Sequence, residues 1–170
     1  AGKAGEAEQA ARELLAATPD ADAWDILSCA LRAQDRNEEA LAAAEEALRL
    51  DETSVPARHD WAVAAGRLGR VDDALKAFEQ LAARGVEASA LSLNHGAALL
   101  ELGRIGEAEA VLAAGVERWG LDTKLHSALA KARWLAGAGE AFTERLEDVI
   151  ARNPNATSLR AACVDLLRAA

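Results

Sequence analysis

The feature that most constrains this chain is a repeat of 34 residues. Three segments share a pattern in which a Gly or Asp is followed by polar residues, an acidic residue and Ala. They are 35–40 (Asp-Arg-Asn-Glu-Glu-Ala), 69–74 (Gly-Arg-Val-Asp-Asp-Ala) and 103–108 (Gly-Arg-Ile-Gly-Glu-Ala). Related segments begin at Gly2 and after Gly137. A fixed period of this length predicts one supersecondary unit stacked many times along the chain.

The residues within each period predict a pair of helices. Gly69 is typical of a helix end, where a residue free to adopt a left-handed conformation is favoured. The acidic residues that follow suit the first turn of the next helix, whose dipole they complement. Small residues such as Ala74 recur where two helices of a hairpin cross closely, and Pro19 and Pro154 mark gaps before the next hairpin.

Composition agrees with helices, because the chain is rich in Ala and only 4% of its residues are aromatic. Helical hairpins are expected at 21–34 with 38–50, 55–68 with 72–84, 89–102 with 106–118, and 123–136 with 139–152. A lone second helix is expected at 4–17, and a lone first helix at 157–169.

The periodic pattern resembles the tetratricopeptide repeat family, whose motif is W-x2-L-G-x2-Y, then A-x3-F, then P. In 21–54 the motif columns hold Trp24, Leu27, Ser28, Leu31, Ala40, Ala44 and Ala47. Matches in the later repeats are Trp61, Ala74 and Phe78, then Gly96, Leu99 and Ala108, then Leu129, Ala130 and Pro154. Several motif aromatics are replaced by Leu or Ala.

The resemblance covers the whole chain and implies an all-α protein, a right-handed superhelical solenoid of antiparallel helix hairpins. The chain is then one array, 1–170. It has partial repeats at 1–20 and 157–170 and full repeats at 21–54, 55–88, 89–122 and 123–156. Trp24 and Trp61 lie in columns that pack inside a hairpin, and Trp119 is expected at the joint between repeats.

In this family the first helices line a concave groove where partners lie, which implies a set of candidate partner-binding residues. They are Asp25, Arg32, His59, Asp60, Arg67, Asn94, Glu101, Lys124, Lys131 and Trp134, with Asp22, Cys29 and Val63 beside them. For each charged member the alternative is a solvated surface. Trp134 is either a groove residue or packed against the neighbouring helix.

Two groove chemistries of the family can be compared with these columns. The carboxylate clamp that grips chaperone tails needs Lys and Asn where this chain has Asp25, Cys29 and Asp60, so the clamp is absent. The asparagine ladder retains only Asn94 with Asp60, since Ile26 and Ala128 interrupt it. Asp60 and Asn94 could still bond an extended peptide backbone.

The formal net charge of −9 argues against a general nucleic-acid binder and against docking on an anionic membrane surface. No apolar run approaches the roughly 20 residues of a bilayer span, and the expected location is cytoplasmic. Cys29 and Cys163 are expected to be buried free thiols, because an elongated array would keep them apart.

Enzyme signatures are missing, so this region is expected to be a non-catalytic scaffold for a protein or peptide. His59, His95 and His126 lie in three different repeats, without metal-ligand spacing. No CxxC, phosphate-loop Lys or GxSxG occurs. Neither a cofactor nor a metal is expected.

The chain begins inside one repeat and ends inside another, without a polar capping helix. We expect either a fragment of a longer protein or a homodimer that covers the apolar stripe Leu159, Cys163, Leu166 and Leu167. In the last third, the helix 129–134 (Leu-Ala-Lys-Ala-Arg-Trp), Phe142 and the Asn153-Pro154 joint also resemble bacterial arrays that precede iron- and 2-oxoglutarate-dependent oxygenase domains. Similar arrays precede sulfotransferase or glycosyltransferase domains. The alternative function is therefore a substrate-recruiting or dimerising arm of a larger enzyme. Frequent Ala, and Arg in preference to Lys, are typical of a high-GC bacterial genome.

Overall fold

The computed structural model describes residues 2–137 together with positions 150, 151 and 161. Between residues 2 and 137 the chain forms eight α-helices and no strand. They are α1 (Lys3–Ala17), α2 (Ala21–Arg32), α3 (Asn37–Leu50), α4 (Val55–Arg67), α5 (Val71–Ala83), α6 (Ser89–Glu101), α7 (Ile105–Arg118) and α8 (Thr123–Leu135).

The predicted all-helical fold is confirmed, and each helix expected before residue 137 is present with its ends within two residues of the predicted ones. Successive helices pack as antiparallel hairpins, α2 with α3, α4 with α5, and α6 with α7. Most of the helices expected at 139–152 and 157–169 lies outside the described residues, although the described positions 150, 151 and 161 are helical. So does the apolar stripe of Leu159, Cys163, Leu166 and Leu167.

Helices α2 and α4, the first helices of two hairpins, begin at short polar side chains that accept backbone hydrogen bonds. Asp20 accepts from the amide of Ala23 at 2.8 Å, and Ser54 accepts from Ala57 at 3.3 Å. Each of these side chains satisfies an amide that the first turn of a helix leaves without a partner. The sequence thereby fixes where these helices start.

The second helices begin differently, at an Arg whose side chain pairs with the acidic residue three positions later. The Arg36 guanidinium lies 2.6 Å from Glu39, Arg70 lies 3.1 Å from Asp73, and the pair Arg104–Glu107 repeats the arrangement at 2.7 Å. Because these pairs are exposed and screened by water, each contributes little to stability. Because these ion pairs recur every 34 residues, they explain why the sequence repeat has an Arg followed three positions later by an acidic residue.

The turn between the two helices of a hairpin needs a left-handed residue. Gly69 and Gly103 have φ of +80° and +70°, and Asp35 fills the same place in the first full repeat with φ +61°. After Gly103, the amide of Arg104 returns to the carbonyl of Leu99 at 2.9 Å and closes the end of α6.

Replacing Gly103 with Ala is expected to lower the free energy of unfolding by about 1 kcal/mol, because an L side chain opposes the left-handed backbone. Gly106 lies three residues later inside α7, without a positive φ, and an added Cβ meets no atom within 4 Å. Gly106→Ala is therefore expected to raise stability by about 0.5 kcal/mol. Urea denaturation measures both values. Equal losses for the two variants would contradict the role given to the Gly103 backbone.

The chain divides into two units, Ala1–Val86 and Glu87–Ala170. In the first, α1 to α4 enclose a core of small and branched residues. Leu27 and Leu31 of α2 pack with Ala11, Ala40, Ala43 and Ala64. Ala40 and Ala74 are completely buried, as expected where two helices cross closely. The Ser28 hydroxyl donates to the carbonyl of Ala40 at 2.8 Å, which satisfies a polar group inside this crossing.

Glu8 joins α1 to the turn that precedes α3. Its carboxylate accepts hydrogen bonds from Gln34 at 2.8 Å and from Arg36 at 2.7 Å, and it pairs with Arg12 at 2.8 Å. The hydrogen bond from Gln34, followed by those from Arg12 and Arg36, lowers the pKa of Glu8 to about 2. This contact fixes the position of α1 against α2 and the turn at 34–36.

In the described part of the second unit, Leu112 of α7 packs with Leu125, Leu129 and Ala132 of α8. Trp119 follows α7 and packs on this cluster, so it lies at the joint between two hairpins, where it was expected. The joint is also held by the Arg133–Glu109 pair at 2.9 Å.

Two expectations about single residues need correction. Cys29 was expected to be buried, but it is exposed, because it lies on the face of α2 that α3 does not cover. Trp24 packs on the first core cluster as expected. Trp61 is partly buried, as Trp24 is, but it lines a surface cavity. Its indole Nε1 donates to Glu45 at 3.3 Å, and the Arg70 guanidinium lies 5.1 Å from its ring centre.

Candidate functional site

Helices α2 and α4 bring four predicted partner-binding residues into one network. Arg32 of α2 lies 3.3 Å from the Asp60 carboxylate of α4. His59 Nδ1 lies 3.2 Å from the same carboxylate oxygen. Asp25, two helical turns before Arg32, interacts electrostatically with Asp60, His59 and Arg32. We call Asp25, Arg32, His59 and Asp60 the α2–α4 network.

Asp60 is the centre of this network. The residue is 6% exposed, so its charge requires compensation inside the protein. Arg32, whose side chain is 24% exposed, supplies that compensation from the neighbouring repeat. His59 is positioned partly by Phe78, whose ring centre lies 6.1 Å from that of the imidazole. The arrangement fixes α4 against α2 through charge as well as packing.

Asp25 is left without a hydrogen bond. Its Oδ1 is buried and has no hydrogen-bond partner. Burial, followed by the carboxylates of Asp60 and Asp22, raises the pKa of Asp25 to about 6, although His59 and Arg32 oppose the shift. A buried acceptor without a donor is unfavourable by about 1–3 kcal/mol. Asp25 therefore keeps a hydrogen-bonding capacity that the folded chain does not use.

Arg32 has the complementary deficit. Its Nη2 pairs with Asp60, but its Nε is buried and has no hydrogen-bond partner. The network therefore contains one buried acceptor and one buried donor, both without partners. A peptide bond offers the matching pair, since its N–H donates and its C=O accepts.

The side chains beside the network are apolar or weakly polar. Ile26 follows Asp25 and is 43% exposed, while Val63, one turn after His59, is 8% exposed. The exposed Cys29 receives a weak contact of 3.8 Å from Arg32 Nη2. This apolar surface next to the polar network suits the side chains of a bound segment.

Arg67 lies on α4 but does not join the network. Its Nη1 donates to the carbonyl of Arg32 at 3.1 Å and to the Asn37 side chain at 3.4 Å. The same atom lies 3.5 Å from the Asp35 carboxylate. Arg67 therefore links α4 to the turn after α2, which is a structural task.

The remaining candidates belong to the second unit. Asn94 on α6 is partly buried, and Glu101 at the end of that helix is exposed. Lys124 and Lys131 are exposed on α8, and Trp134 is 38% exposed near its end. Within the described residues, Lys124, Lys131 and Glu101 form no ion pair, so these positions do not make a network like that of α2 and α4.

The sequence contains one indication that Asp60 is a buried carboxylate, although the comparison with the family motif did not reveal it. Asp60 lies 34 residues after Ile26, so a charged residue follows an apolar one in the same column. Such an exchange requires a partner nearby, and Arg32 is that partner. Ile26 itself was treated only as an interruption of the asparagine ladder, although it lies beside the network.

Other kinds of site can be compared with the same part of the chain. Between residues 2 and 137, no group of three or more His, Cys, Asp or Glu side chains is arranged to hold a metal ion. None of the helices described there combines the length and apolar character of a membrane span.

Comparison with known proteins gives a consistent family and fold. The tetratricopeptide repeat family model matches residues 1–55 and 59–123. No curated protein sequence matches the chain. Several solved structures are similar at low sequence identity, so their likeness concerns the fold alone.

Three of these structures cover most of the chain. YrrB, a tetratricopeptide repeat protein with an unusual peptide-binding site, has a TM-score of 0.73 at 20% identity, covering 95% of this chain and 91% of its own. A thermophilic repeat protein from Thermus thermophilus gives 0.76 at 18%, covering 98% and 91%. PilW, a type IV pilus biogenesis factor, gives 0.71 at 17%, covering 95% and 91%.

Proposed function

Because the chain belongs to the tetratricopeptide repeat family, we propose that it is a non-catalytic scaffold that binds a peptide or protein segment on the surface shared by α2 and α4. The network of Asp25, Arg32, His59 and Asp60 holds the backbone of that segment. The tetratricopeptide fold suggests protein–protein interaction in general.

The observation that carries the proposal is the pair of unsatisfied groups within one network. Asp25 Oδ1 and Arg32 Nε are buried without hydrogen-bond partners. Burial without a partner is unfavourable by about 1–3 kcal/mol for each group. On binding, the two side chains turn towards the segment, whose backbone N–H then donates to Asp25 and whose carbonyl accepts from Arg32, which removes both deficits. Binding therefore gains from groups that the folded chain alone leaves unsatisfied.

Charge and shape support a polypeptide rather than a small anion. Asp25 and Asp60 face Arg32 and His59, and Asp22 adds a further carboxylate, so the network does not attract a phosphate or a free acid. Ile26 is 43% exposed beside it, which gives an apolar side chain a place to pack. YrrB, which shares this fold, has a peptide-binding site, and this is consistent with a peptide as the ligand class.

A displayed library of random short peptides tests the proposal, with the full chain as the target. Peptides selected on the wild-type protein are expected to lose affinity about tenfold or more for Asp25→Asn, because Asn keeps an acceptor oxygen but loses the charge that strengthens the hydrogen bond. Fluorescence anisotropy with labelled copies of the selected peptides measures this change.

Asp72→Asn is the matched control. It removes the same charge from an exposed residue in the first turn of α5, and it is expected to leave the affinity unchanged. Peptides that bind the wild type, Asp25→Asn and Arg32→Gln equally well would place the binding surface elsewhere and refute the proposal.

A further inference from the structure

A separate surface cavity of about 260 Å³ lies in the first unit, between α4 and α5 and beside Leu48 of α3. Its walls include Arg58 and Trp61 of α4 and Lys76 and Ala77 of α5. No member of the α2–α4 network contributes to it. We call this cavity the α4–α5 pocket.

The pocket arises from a change within the sequence repeat. Trp24 packs against a core cluster that includes Ala43. The residues 34 positions later are Arg58 and Ala77, so an Arg stands where the preceding repeat has a large aromatic ring. The Arg58 guanidinium donates to Gln80 at 3.2 Å and to the carbonyl of Glu52 at 2.7 Å. The space beside Ala77 is left open.

The floor of the pocket is apolar and held in place. Trp61, Leu48 and Ala77 line it. The Trp61 indole is oriented by its hydrogen bond to Glu45 at 3.3 Å and is covered on one side by Arg70. An oriented indole in a concave surface is a favourable contact for an apolar or aromatic side chain.

The rim of the pocket carries two cations that form no ion pair with a carboxylate in the part of the chain that the structure describes. Arg58 donates only to the uncharged Gln80 and to a backbone carbonyl, and Lys76 forms no ion pair within the described residues. Asp73 also lines the pocket, but it is paired with Arg70 at 3.1 Å. Two uncompensated positive charges therefore surround an apolar floor on a chain whose net charge is −9.

We propose that the α4–α5 pocket is a second docking site, which binds an apolar side chain and the acidic residue that follows it in a partner protein. The apolar side chain lies on Trp61 and Leu48, and the carboxylate lies between Arg58 and Lys76. This site is independent of the α2–α4 network, so the protein offers two surfaces to its partners.

Two capped tetrapeptides that differ by one carboxylate test the chemistry. One contains alanine, phenylalanine, glutamate and alanine, and the other has glutamine in place of the glutamate. Nuclear magnetic resonance follows the indole Nε1–H signal of Trp61, which is identified by its loss in Trp61→Phe. The acidic peptide is expected to shift this signal and to bind about fivefold more tightly than the neutral one, as expected for exposed ion pairs. Equal affinities, or no shift at millimolar peptide, would overturn the proposal.

Variants of the full chain separate the pocket from other surfaces. Lys76→Glu is expected to weaken binding of the acidic peptide about tenfold, whereas Lys3→Glu, the same exchange on exposed α1, leaves it unchanged. Arg58→Trp restores the residue of the preceding repeat, fills the cavity and is expected to abolish binding. Asp25→Asn leaves binding intact, which distinguishes this site from the network. An unchanged affinity for Lys76→Glu would refute the site even if Arg58→Trp failed to fold.

Discussion

Replacing Gly96 with Ala is expected to lower the free energy of unfolding by about 1–3 kcal/mol, the usual range for overpacking a well-filled core. A Cβ on Gly96 would lie 2.5 Å from Cγ and 2.6 Å from Cδ2 of Leu112. Leu112 is completely buried and packs against Leu125 and Leu129 of α8. It therefore cannot move aside without disturbing the next helix. Urea denaturation of the full chain measures the loss.

Gly66→Ala provides the control for this prediction. Gly66 also lies in the first helix of a hairpin, but a Cβ there meets Ala74 Cβ at 3.6 Å, an ordinary contact. Ala has the higher helix propensity, so this variant is expected to be neutral or to gain up to about 1 kcal/mol. A loss for Gly66→Ala equal to that for Gly96→Ala would mean that helix propensity or burial, and not the Leu112 contact, decides the outcome.

A double substitution tests the contact directly. Leu112→Ala alone is expected to cost about 2–5 kcal/mol through the cavity that it leaves. In Gly96→Ala with Leu112→Ala, the new methyl group enters that cavity, so the double variant should lose less than the sum of the single losses. Additive losses would show that the two side chains do not compete for the same space.

The helices could be predicted from the sequence because the repeat contains its own boundaries. The left-handed Gly103, the Arg104–Glu107 pair and the small Ala108 recur at 34-residue intervals, and each acts within one hairpin. Local signals of this kind need no knowledge of the other repeats. The same reasoning could not predict the contact between Gly96 and Leu112, because that contact depends on how closely two particular helices approach.

The candidate site was predictable in part for a similar reason. The family columns identified Asp25, Arg32, His59 and Asp60 as residues of one face, and α2 and α4 bring these four together. Column positions do not reveal which side chains become paired. Arg67 belongs to the same columns, yet it is used to hold the turn at 35–37. The cavity beside Trp61 likewise depends on which neighbouring side chains are large.

Asp25→Asn is expected to stabilise the protein at neutral pH by about 1–3 kcal/mol. The pKa of Asp25 is raised from its ordinary 3.8 to about 6, first by burial and then by Asp60 and Asp22. The folded state therefore holds this proton more tightly than the unfolded state. The stability that protonated Asp25 contributes to the fold is complete below a pH of about 4 and is lost as the pH rises through about 6. Each pH unit between the unfolded and folded pKa values of Asp25 corresponds to about 1.4 kcal/mol in the free energy of unfolding. The partial exposure of Asp25 reduces this total.

The pH dependence of the difference between variant and wild type isolates this group. Five other carboxyl groups act in the opposite direction, because their pKa values are lowered. The pKa of Glu8 is lowered to about 2, and lowered values are also found for Glu39, Asp51, Glu107 and Asp122. Their hydrogen bonds stabilise the fold at neutral pH and are lost in acid. Urea denaturation at several pH values between about 4 and about 7 should give a stability advantage for Asp25→Asn that grows with pH. A constant advantage would mean that Asp25 does not titrate in this range.

The same substitution has opposite expected effects on stability and on binding, and this contrast bears on the role of Asp25. A residue selected for stability would not be a carboxylate whose buried oxygen has no hydrogen-bond donor. Functional sites commonly retain groups that lower the stability of the free protein. If Asp25→Asn stabilises the fold and also weakens peptide binding about tenfold, the buried carboxylate is maintained for its partner. If it stabilises the fold and leaves binding unchanged, Asp25 contributes only an unfavourable charge, and the α2–α4 network has a structural role between two repeats.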